Sequence, residues 1–394
     1  MTPVEVQTTR RSRTVEFATC RITSGARAQA LDAMASGWLT SGVRTEMFER
    51  SLAAWIGARY AVAVSSCTAA IELSLRALDL PAGSPVLTPT LTFCGAVQAI
   101  VHSGLRPVLV DTDEATLTVN VDAIAEAARI KPAAMVMQHM AGYPIPVPDM
   151  AAAAGLAMER VVEDAAHGLG GTLGDKAVGT ISRASCFSFY ATKNLPIGEG
   201  GAITTSDPQL ADRLRAMRQH GMSKDAWRRY EPGADWRYQV DEDGIKANFT
   251  DLQAAIGLGQ LAHLTSWQAR RAELADLYDA RLAAIPGIVL PPRPAGGQHA
   301  WHLYVIRVQP AYGRTRDGLA TELALRGVGT SVHFIPVHRF RYFRQLLGDQ
   351  AHRLPVAEQV ADQLLSLPLH PHLADEDVDY VCGQIGELSA IRGD

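Results

Sequence analysis

The chain has 394 residues, of which 47% are hydrophobic and 20% are charged. These values are ordinary for a globular enzyme, and the length allows one large and one smaller domain with substantial cores. A formal net charge of −4 gives no reason to expect nucleic acid or an anionic membrane as a partner. No apolar stretch is long enough to cross a bilayer.

The N-terminal residues and the cysteines bear on location. The basic run 10–13 is not followed by an apolar core, so we expect no export signal. The polar residues 1–15 predict a flexible tail. An odd number of scattered cysteines forms no disulfide or zinc pattern and favours a cytoplasmic location. They are Cys20, Cys67, Cys94, Cys186 and Cys382.

Strand-like and helical patterns alternate over the first half of the chain. Helical patterns such as 71–78 and 121–128 separate short apolar runs. This alternation predicts an α/β fold with a doubly wound sheet, which binds ligands at the carboxyl ends of its strands. The predicted strands are 60–64, 85–87, 107–110, 134–138, 160–163, 185–189 and 201–204.

The second half predicts a smaller α+β unit. Residues 252–284 have the apolar spacing of one long helix, and the Pro/Gly-rich run 286–297 breaks the pattern. Beyond it we predict a strand at 303–308 and helices at 317–325 and 375–388. The predicted parts are a tail (1–15), a large domain (16–265) and a small C-terminal domain (266–394).

Lys193 follows the predicted strand 185–189 and precedes a glycine-rich loop at 198–201. Aromatic and small residues surround it in sequence, whereas most lysines occupy solvated faces. An amine held in a pocket loses its charge more readily and can form a Schiff base with a carbonyl compound such as pyridoxal phosphate. Lys193 is therefore a candidate for covalent attachment of that cofactor.

Two further patterns precede Lys193. Asp164 ends the predicted strand 160–163, where a carboxylate can pair with a protonated pyridine nitrogen, although an isolated Asp more often caps a turn. Ser66, Cys67 and Thr68 lie between a strand and a helical pattern, and free amides at a helix start can bind phosphate. Taken alone, the pattern at Ser66, Cys67 and Thr68 is better explained by an ordinary helix cap.

With these residues in order, the chain resembles the DegT/DnrJ/EryC1/StrS family of pyridoxal-phosphate-dependent nucleotide-sugar aminotransferases from about residue 20 to its end. The resemblance implies a fold-type I aminotransferase with a seven-stranded central sheet. Its motifs are 36–42 (SGWLTSG), 66–70 (SCTAA), 89–93 (PTLTF), 163–167 (EDAAH), 188–194 (SFYATKN), 198–201 (GEGG), 248–257 (NFTDLQAAIG) and 333–338 (HFIPVH).

The resemblance assigns roles around the cofactor ring. Lys193 is implied to bind the cofactor and then to shuttle a proton between the amino-acid Cα and the cofactor. Asp164 is implied to hold the pyridine nitrogen, and His167 is expected near the 3-hydroxyl group. Phe93 matches the aromatic residue that stacks on the ring, where without the family match it would be a core aromatic.

The resemblance also implies which residues bind the phosphate and that a partner chain contributes one of them. Cys67, Thr68 and Ser188 are expected to bind the phosphate. Family members commonly have Gly or Ala where this chain has Cys67, and a backbone amide contact survives that change. Asn248 matches a residue that reaches the phosphate of the neighbouring subunit, which implies a homodimer with shared active sites.

A metal site is the competing interpretation of the histidines. They come in close pairs, but no Asp or Glu accompanies them at ligand spacing, so we expect no catalytic metal. The pairs are His299 with His302, His333 with His338, and His370 with His372.

The expected reaction moves an amino group from L-glutamate to C4 of a dTDP- or UDP-linked 4-keto-6-deoxyhexose. Residues 218–230 and 333–338 resemble the branch of the family that aminates C4. Amination at C3 of a 3-keto sugar is the alternative. A dehydratase of this fold carries histidine in place of Lys193, and a non-catalytic regulator would tolerate loss of Lys193, Asp164 or the phosphate-binding residues.

Overall fold

The structure is a computed structural model that describes residues 13–222 and 238–390. Its strands, in chain order, are β1 (Tyr60–Val64), β2 (Pro85–Pro89), β3 (Arg106–Val110), β4 (Ala134–Gln138), β5 (Val161–Asp164), β6 (Thr172–Leu173), β7 (Lys176–Ala177), β8 (Ala184–Ser188), β9 (Gly201–Thr205), β10 (Ile288–Val289), β11 (Gly297–Gln298), β12 (Tyr304–Val308) and β13 (Leu364–Leu367).

The α-helices of the described residues lie before, between and after these strands. They are α1 (Ser24–Ala35), α2 (Val43–Ile56), α3 (Cys67–Arg76), α4 (Cys94–His102), α5 (Val121–Ala127), α6 (Val147–Ala153), α7 (Pro208–Met217), α8 (Asp251–Leu261), α9 (Leu264–Leu282), α10 (Arg316–Leu325), α11 (Arg341–Leu347), α12 (Pro355–Ala361) and α13 (Asp375–Ala390).

A seven-stranded sheet organises the fold, with the strand order β1-β9-β8-β5-β4-β2-β3. Only β9 runs antiparallel to its neighbours β1 and β8, and the remaining pairs are parallel. The predicted fold class is confirmed, and all seven strands were predicted to within two residues at each end. Helices with apolar faces cover both faces of the sheet, which is why these strands are mainly apolar and do not alternate between apolar and polar residues.

The predicted long helix over 252–284 is wrong in one respect, because α8 ends at Leu261 and α9 begins at Leu264. The two helices bury their apolar faces on different cores. Leu261 packs in the cluster beneath the central sheet, whereas Tyr278 packs beside β12. Apolar spacing continues across the break and carries no information about this change of partner.

A second core surrounds the three-stranded sheet β10-β12-β13, with α9, α10 and α13 packed against it. The start of the described chain joins this core: Val15 is buried and pairs with Val328, and Arg13 forms an ion pair with Asp377 at 2.6 Å. Residues 13 and 15 therefore contact this second core, whereas residues 1–12 lie outside the described residues, and the tail over 1–15 stays a prediction. The domain boundary at 265 stays a prediction.

Within residues 13–222 and 238–390, no helix combines the length and the apolar character that crossing a bilayer requires.

Candidate active site

A cavity of about 480 Å³ opens at the carboxyl ends of β4, β5 and β8. It lies where a mainly parallel sheet places its ligand site. Of the eight residues predicted for the site, seven line it. They are Cys67, Thr68, Phe93, Asp164, His167, Ser188 and Lys193.

Asn248 is the predicted residue that does not line the cavity of its own chain. It precedes α8, pairs with Val64 through a β-bridge, and donates a hydrogen bond from Nδ2 to Ser41 Oγ at 3.1 Å. Its assignment to a partner chain stays a prediction.

Lys193 lies in the loop after β8, where its backbone N–H donates to the carbonyl of Tyr190 at 2.8 Å. Burial lowers the pKa of its amine to about 8, against the opposing effect of the nearby Asp164. Far more of Lys193 is thus unprotonated near neutral pH than of an exposed lysine, and a nucleophile or proton acceptor requires the unprotonated form.

Asp164 ends β5 and is buried. Its Oδ1 accepts hydrogen bonds from the Ala166 N–H at 3.1 Å and the Cys67 thiol at 3.7 Å. Burial raises the pKa of Asp164, although the Ala166 N–H and Lys193 oppose the shift. Both bonds involve Oδ1, so Oδ2 has no hydrogen-bond partner among the described residues and can accept one from a ligand.

The start of α3 carries free backbone donors. Ser66 caps the helix, with its Oγ accepting from the Ala69 N–H at 3.1 Å, and the Ala70 N–H donates to the Ser66 carbonyl. The amides of Cys67 and Thr68 precede the first intrahelical bond, so they remain available to an anion. Both residues line the cavity.

Strand β9 passes so close to α3 that Gly201 is required there. A Cβ at Gly201 would lie 2.5 Å from the Ser66 carbonyl carbon and 2.6 Å from the Cys67 nitrogen. The glycine therefore lets the sheet approach the helix start, and it is the last member of the glycine-rich loop at 198–201.

His167 is buried, and its Nδ1 accepts a hydrogen bond from the Ala141 N–H at 3.2 Å. Burial and the charge of Lys193 hold the pKa of His167 well below its usual value. A neutral imidazole that accepts at Nδ1 carries its proton on Nε2. His167 can therefore donate to an oxygen atom of a bound ligand.

Phe93 lies at the edge of the cavity directly before α4, and 57% of it is exposed. This exposure separates it from the core aromatics. Its ring centroid is 6.2 Å from that of Phe334, and the ring of Phe334 stacks on His167 at 5.7 Å. A flat ring entering the cavity would meet these aromatic faces.

Sequence reasoning missed three lining residues as functional groups: Gln138, His302 and Phe334. Gln138 ends β4 in register with Asp164, and both its amide atoms are buried without a partner among the described residues. Because buried amides are nearly always paired, these atoms are consistent with a polar group entering the cavity. The position of Gln138 at a strand end was the available signal.

The histidine pairs of the sequence separate in the structure. His302 and His333 line the cavity, while His299 stacks on Trp301 at 3.9 Å. His338 lies between Thr90 and an acidic residue of α12, with its Nδ1 2.7 Å from Thr90 Oγ1. His370 and His372 lie against each other with ring centroids 6.3 Å apart.

The residues fit pyridoxal phosphate. A buried lysine with a lowered pKa, a buried carboxylate with one unused oxygen, a neutral imidazole donor and two helix-start amides match the carbonyl, ring nitrogen, hydroxyl and phosphate of that molecule. Together with the sheet order, they define the class of fold-type I, pyridoxal-phosphate-dependent enzymes.

Comparison with known proteins gives the family. A model of the DegT/DnrJ/EryC1/StrS aminotransferase family matches residues 21–386, and the chain belongs to this family. It is a pyridoxal-phosphate-dependent sugar aminotransferase. The spore coat polysaccharide biosynthesis protein SpsC of Bacillus subtilis is 42% identical over 367 residues, which are 91% of this chain and 93% of SpsC.

Solved structures agree with this membership. The PMP form of the putative sugar aminotransferase Spr1654 from Streptococcus pneumoniae has a TM-score of 0.88 and 29% identity, and the match covers 95% of this chain and 99% of that one. The aminotransferase TlmJ from Streptoalloteichus hindustanus has a TM-score of 0.85 and 32% identity, with 95% and 99% covered.

Proposed function

We propose that the enzyme transfers an amino group from L-glutamate to C4 of a nucleotide-linked 4-keto-6-deoxyhexose, with dTDP or UDP as the nucleotide. The observation that carries the aminotransferase chemistry is the meeting of Lys193 and Asp164 in one cavity at the strand ends. When bound, pyridoxal phosphate supplies an electron sink and carries nitrogen between donor and acceptor.

In this proposal Lys193 performs two tasks with one atom. Its Nζ is the nucleophile that attaches the cofactor and, when free, the base that takes a proton from the donor Cα and returns one to the sugar carbon. An amine with a pKa of about 8 suits both tasks near neutral pH. Asp164 keeps the ring nitrogen protonated by offering Oδ2 as an acceptor.

The other lining residues bind and orient in this proposal. The amides of Cys67 and Thr68, together with the Ser188 hydroxyl, bind the phosphate and so fix the cofactor at the start of α3. His167 donates from Nε2 to the 3-hydroxyl oxygen, and Phe93 covers the ring and excludes water from its face.

Amination at C4 is supported by the resemblance of 218–230 and 333–338 to the C4-aminating branch. Residues 223–230 lie outside the described residues. His333 lines the cavity beside Phe334 and is held by Ser366, whose Oγ is 2.8 Å from His333 Nδ1. Amination at C3 of a 3-keto sugar remains the alternative, since either ketone could approach the same lysine.

The position of amination is tested with matched substrates. Purified enzyme is incubated with L-glutamate and either a dTDP- or UDP-linked 4-keto-6-deoxyhexose or the corresponding 3-keto sugar, and the product is analysed by mass spectrometry and NMR. We expect an amine at C4. Turnover of the 3-keto sugars alone would contradict the C4 assignment, and turnover with another amino acid alone would contradict the glutamate assignment.

The proposal includes a homodimer in a cytoplasmic location, with Asn248 of one chain at the phosphate of the other. Its support is the family motif at 248–257 and the place of Asn248 shortly before α8, whose start is capped by Thr250 and Gln253. A helix start presents donors to an anion.

A further inference from the structure

His302 lies within hydrogen-bond distance of Lys193 Nζ, and the proposed function assigns no role to this contact. Its Nε2 is 3.4 Å from Lys193 Nζ, and only 3% of His302 is exposed. It precedes β12, in the part of the chain that forms the smaller sheet, and it lines the cavity together with residues of the large-sheet part. In the proposed function, His302 binds neither the cofactor nor the sugar.

The hydrogen bonds of Asn194 determine which nitrogen of His302 carries the proton. Asn194 Nδ2 lies 3.2 Å from the Leu169 carbonyl, 2.8 Å from the Ala300 carbonyl and 2.8 Å from Gln268 Oε1. All three are acceptors, so this atom is the amide nitrogen. The oxygen Oδ1 must then face His302 Nδ1, 3.1 Å away. Since Oδ1 only accepts, His302 donates from Nδ1.

His302 is neutral, which leaves its other nitrogen unprotonated. Burial and the charge of Lys193 hold its pKa well below the usual value, and His167 and Arg271 add to this effect. A neutral imidazole protonated at Nδ1 has a bare lone pair on Nε2. The contact with Lys193 therefore has one possible direction: Lys193 Nζ donates and His302 Nε2 accepts.

We propose that His302 is a positioning residue that holds the free amine of Lys193 by accepting its hydrogen bond at Nε2, with the tautomer set by Asn194. The proposal rests on the role of Lys193 in the proposed function. His302 takes up no proton: the proton from the donor Cα stays on Lys193 Nζ, and the acceptor keeps the amine directed while it carries that proton. Because the hydrogen bond becomes charge-assisted when Nζ is protonated, it strengthens at that stage.

Other groups near Lys193 also affect its ionisation and must be held constant in a test. They are Asp164, Cys67 and His167, which lie at the ends of elements of the large-sheet part of the chain, and His333 from the later part. Burial and Lys193 lower the pKa of His333 to about 4, so it does not titrate near pH 8. Changes confined to His302 leave all the others in place.

The chain offers a matched pair of substitutions at His302. In His302→Asn the side-chain nitrogen can take the place of Nδ1 and keep the bond to Asn194, but nothing reaches Lys193. In His302→Gln the side-chain oxygen can take the place of Nε2 and accept from Lys193. The two variants therefore separate the loss of the acceptor from the loss of the imidazole.

The measurement uses full-length protein freed of cofactor. Modification of Lys193 by trinitrobenzenesulfonate is followed against pH and quantified on its peptide by mass spectrometry. We expect a midpoint near 8 in the wild type, a midpoint about one pH unit lower in His302→Asn, and one close to wild type in His302→Gln. The fall follows because the ammonium form loses its acceptor. An unchanged or raised midpoint in His302→Asn would overturn the proposal.

A second measurement reads the tautomer in the wild-type protein and uses His302→Gln only to assign the signal. Nitrogen-15 NMR of histidine-labelled, cofactor-free wild type reports the tautomer of His302, with the signal assigned by its disappearance in His302→Gln. We expect Nδ1 protonated and Nε2 bare. A proton on Nε2 would overturn the proposal. Neither measurement involves the cofactor, so failure to fix pyridoxal to Lys193 would count against the proposed function and not against this contact.

Discussion

The two sides of β5 carry adjacent buried carboxylates that meet different surroundings. Glu163 points away from the cavity and accepts three hydrogen bonds: from His139 Nε2 at 2.8 Å, the Ser182 N–H at 3.0 Å and the Ser185 hydroxyl at 3.0 Å. Asp164, one residue on, borders the cavity and accepts only at Oδ1. Successive side chains of a strand alternate between faces, which places the two residues in separate environments.

The difference appears in their proton affinities. Burial raises the pKa of Glu163, but the hydrogen bond and charge of His139 together with the hydrogen bonds from Ser182 and Ser185 outweigh it, and the net shift is downward. The pKa of Asp164 is shifted upward, because Lys193 and the Ala166 N–H do not offset the burial. A buried carboxylate with all its partners serves the fold, while one with an unused acceptor is suited to a ligand.

The largest expected effect is on catalytic activity and comes from changing Lys193, which lines the cavity together with Asp164. Lys193→Ala removes both the nucleophile and the base, so activity should fall by several orders of magnitude. Borohydride treatment followed by peptide mapping should fix pyridoxal to Lys193 in the wild type and to no lysine in the variant. Near-normal turnover in Lys193→Ala would contradict the assignment of catalysis to the residues that line the cavity at the end of β5.

Asp164→Asn should lower the rate of the glutamate half-reaction by about two orders of magnitude or more, because the ring nitrogen loses the charge that keeps it protonated. The cofactor should be retained, as its absorbance will show. The stability of the cofactor-free protein should be unchanged or higher, since a carboxylate with an upward-shifted pKa is costly to bury. A half-reaction at wild-type rate would reduce Asp164 to a turn cap.

Glu163→Gln is the matched change on the other side of β5. Glutamine has one acceptor oxygen for the three donors around Glu163, so the free energy of unfolding should fall by about 2–3 kcal/mol. Urea titration measures this. The folded pKa of Glu163 lies below 4.5, so the advantage of the wild type is full at neutral pH and shrinks as the pH falls below 4.5. A Glu163→Gln variant that is as stable as the wild type but inactive would show that Glu163 takes part in catalysis and does not serve the fold alone.

The smallest expected effect tests whether the active site of one chain is completed by Asn248 of a second chain. Lys193→Ala and Asn248→Ala chains are unfolded, mixed in equal amounts and refolded together. Half of the dimers should be mixed, each with one intact site, which restores about a quarter of wild-type activity. Each variant refolded alone is the control. A fully active monomer, or a mixture no more active than its components, would contradict the shared site.

Sequence patterns were sufficient for the central sheet and for much of the cavity. The strands of a sheet covered on both faces are apolar runs of four or five residues, and such runs are visible without a structure. Asp164 and Lys193 were found because each follows such a run, and the end of a parallel strand is where this fold binds ligands. The free amides at Cys67 and Thr68 follow equally from local order along the chain.

Tertiary structure alone decided the contacts that join distant parts of the chain. No local pattern indicates that β9 lies antiparallel between β1 and β8, or that the helix is interrupted at 262–263. His302 is 109 residues from Lys193 in sequence, and His139 is 24 from Glu163. The proton positions of such groups depend on which atoms surround them, and folding brings those atoms together from segments whose sequences carry no mark of each other.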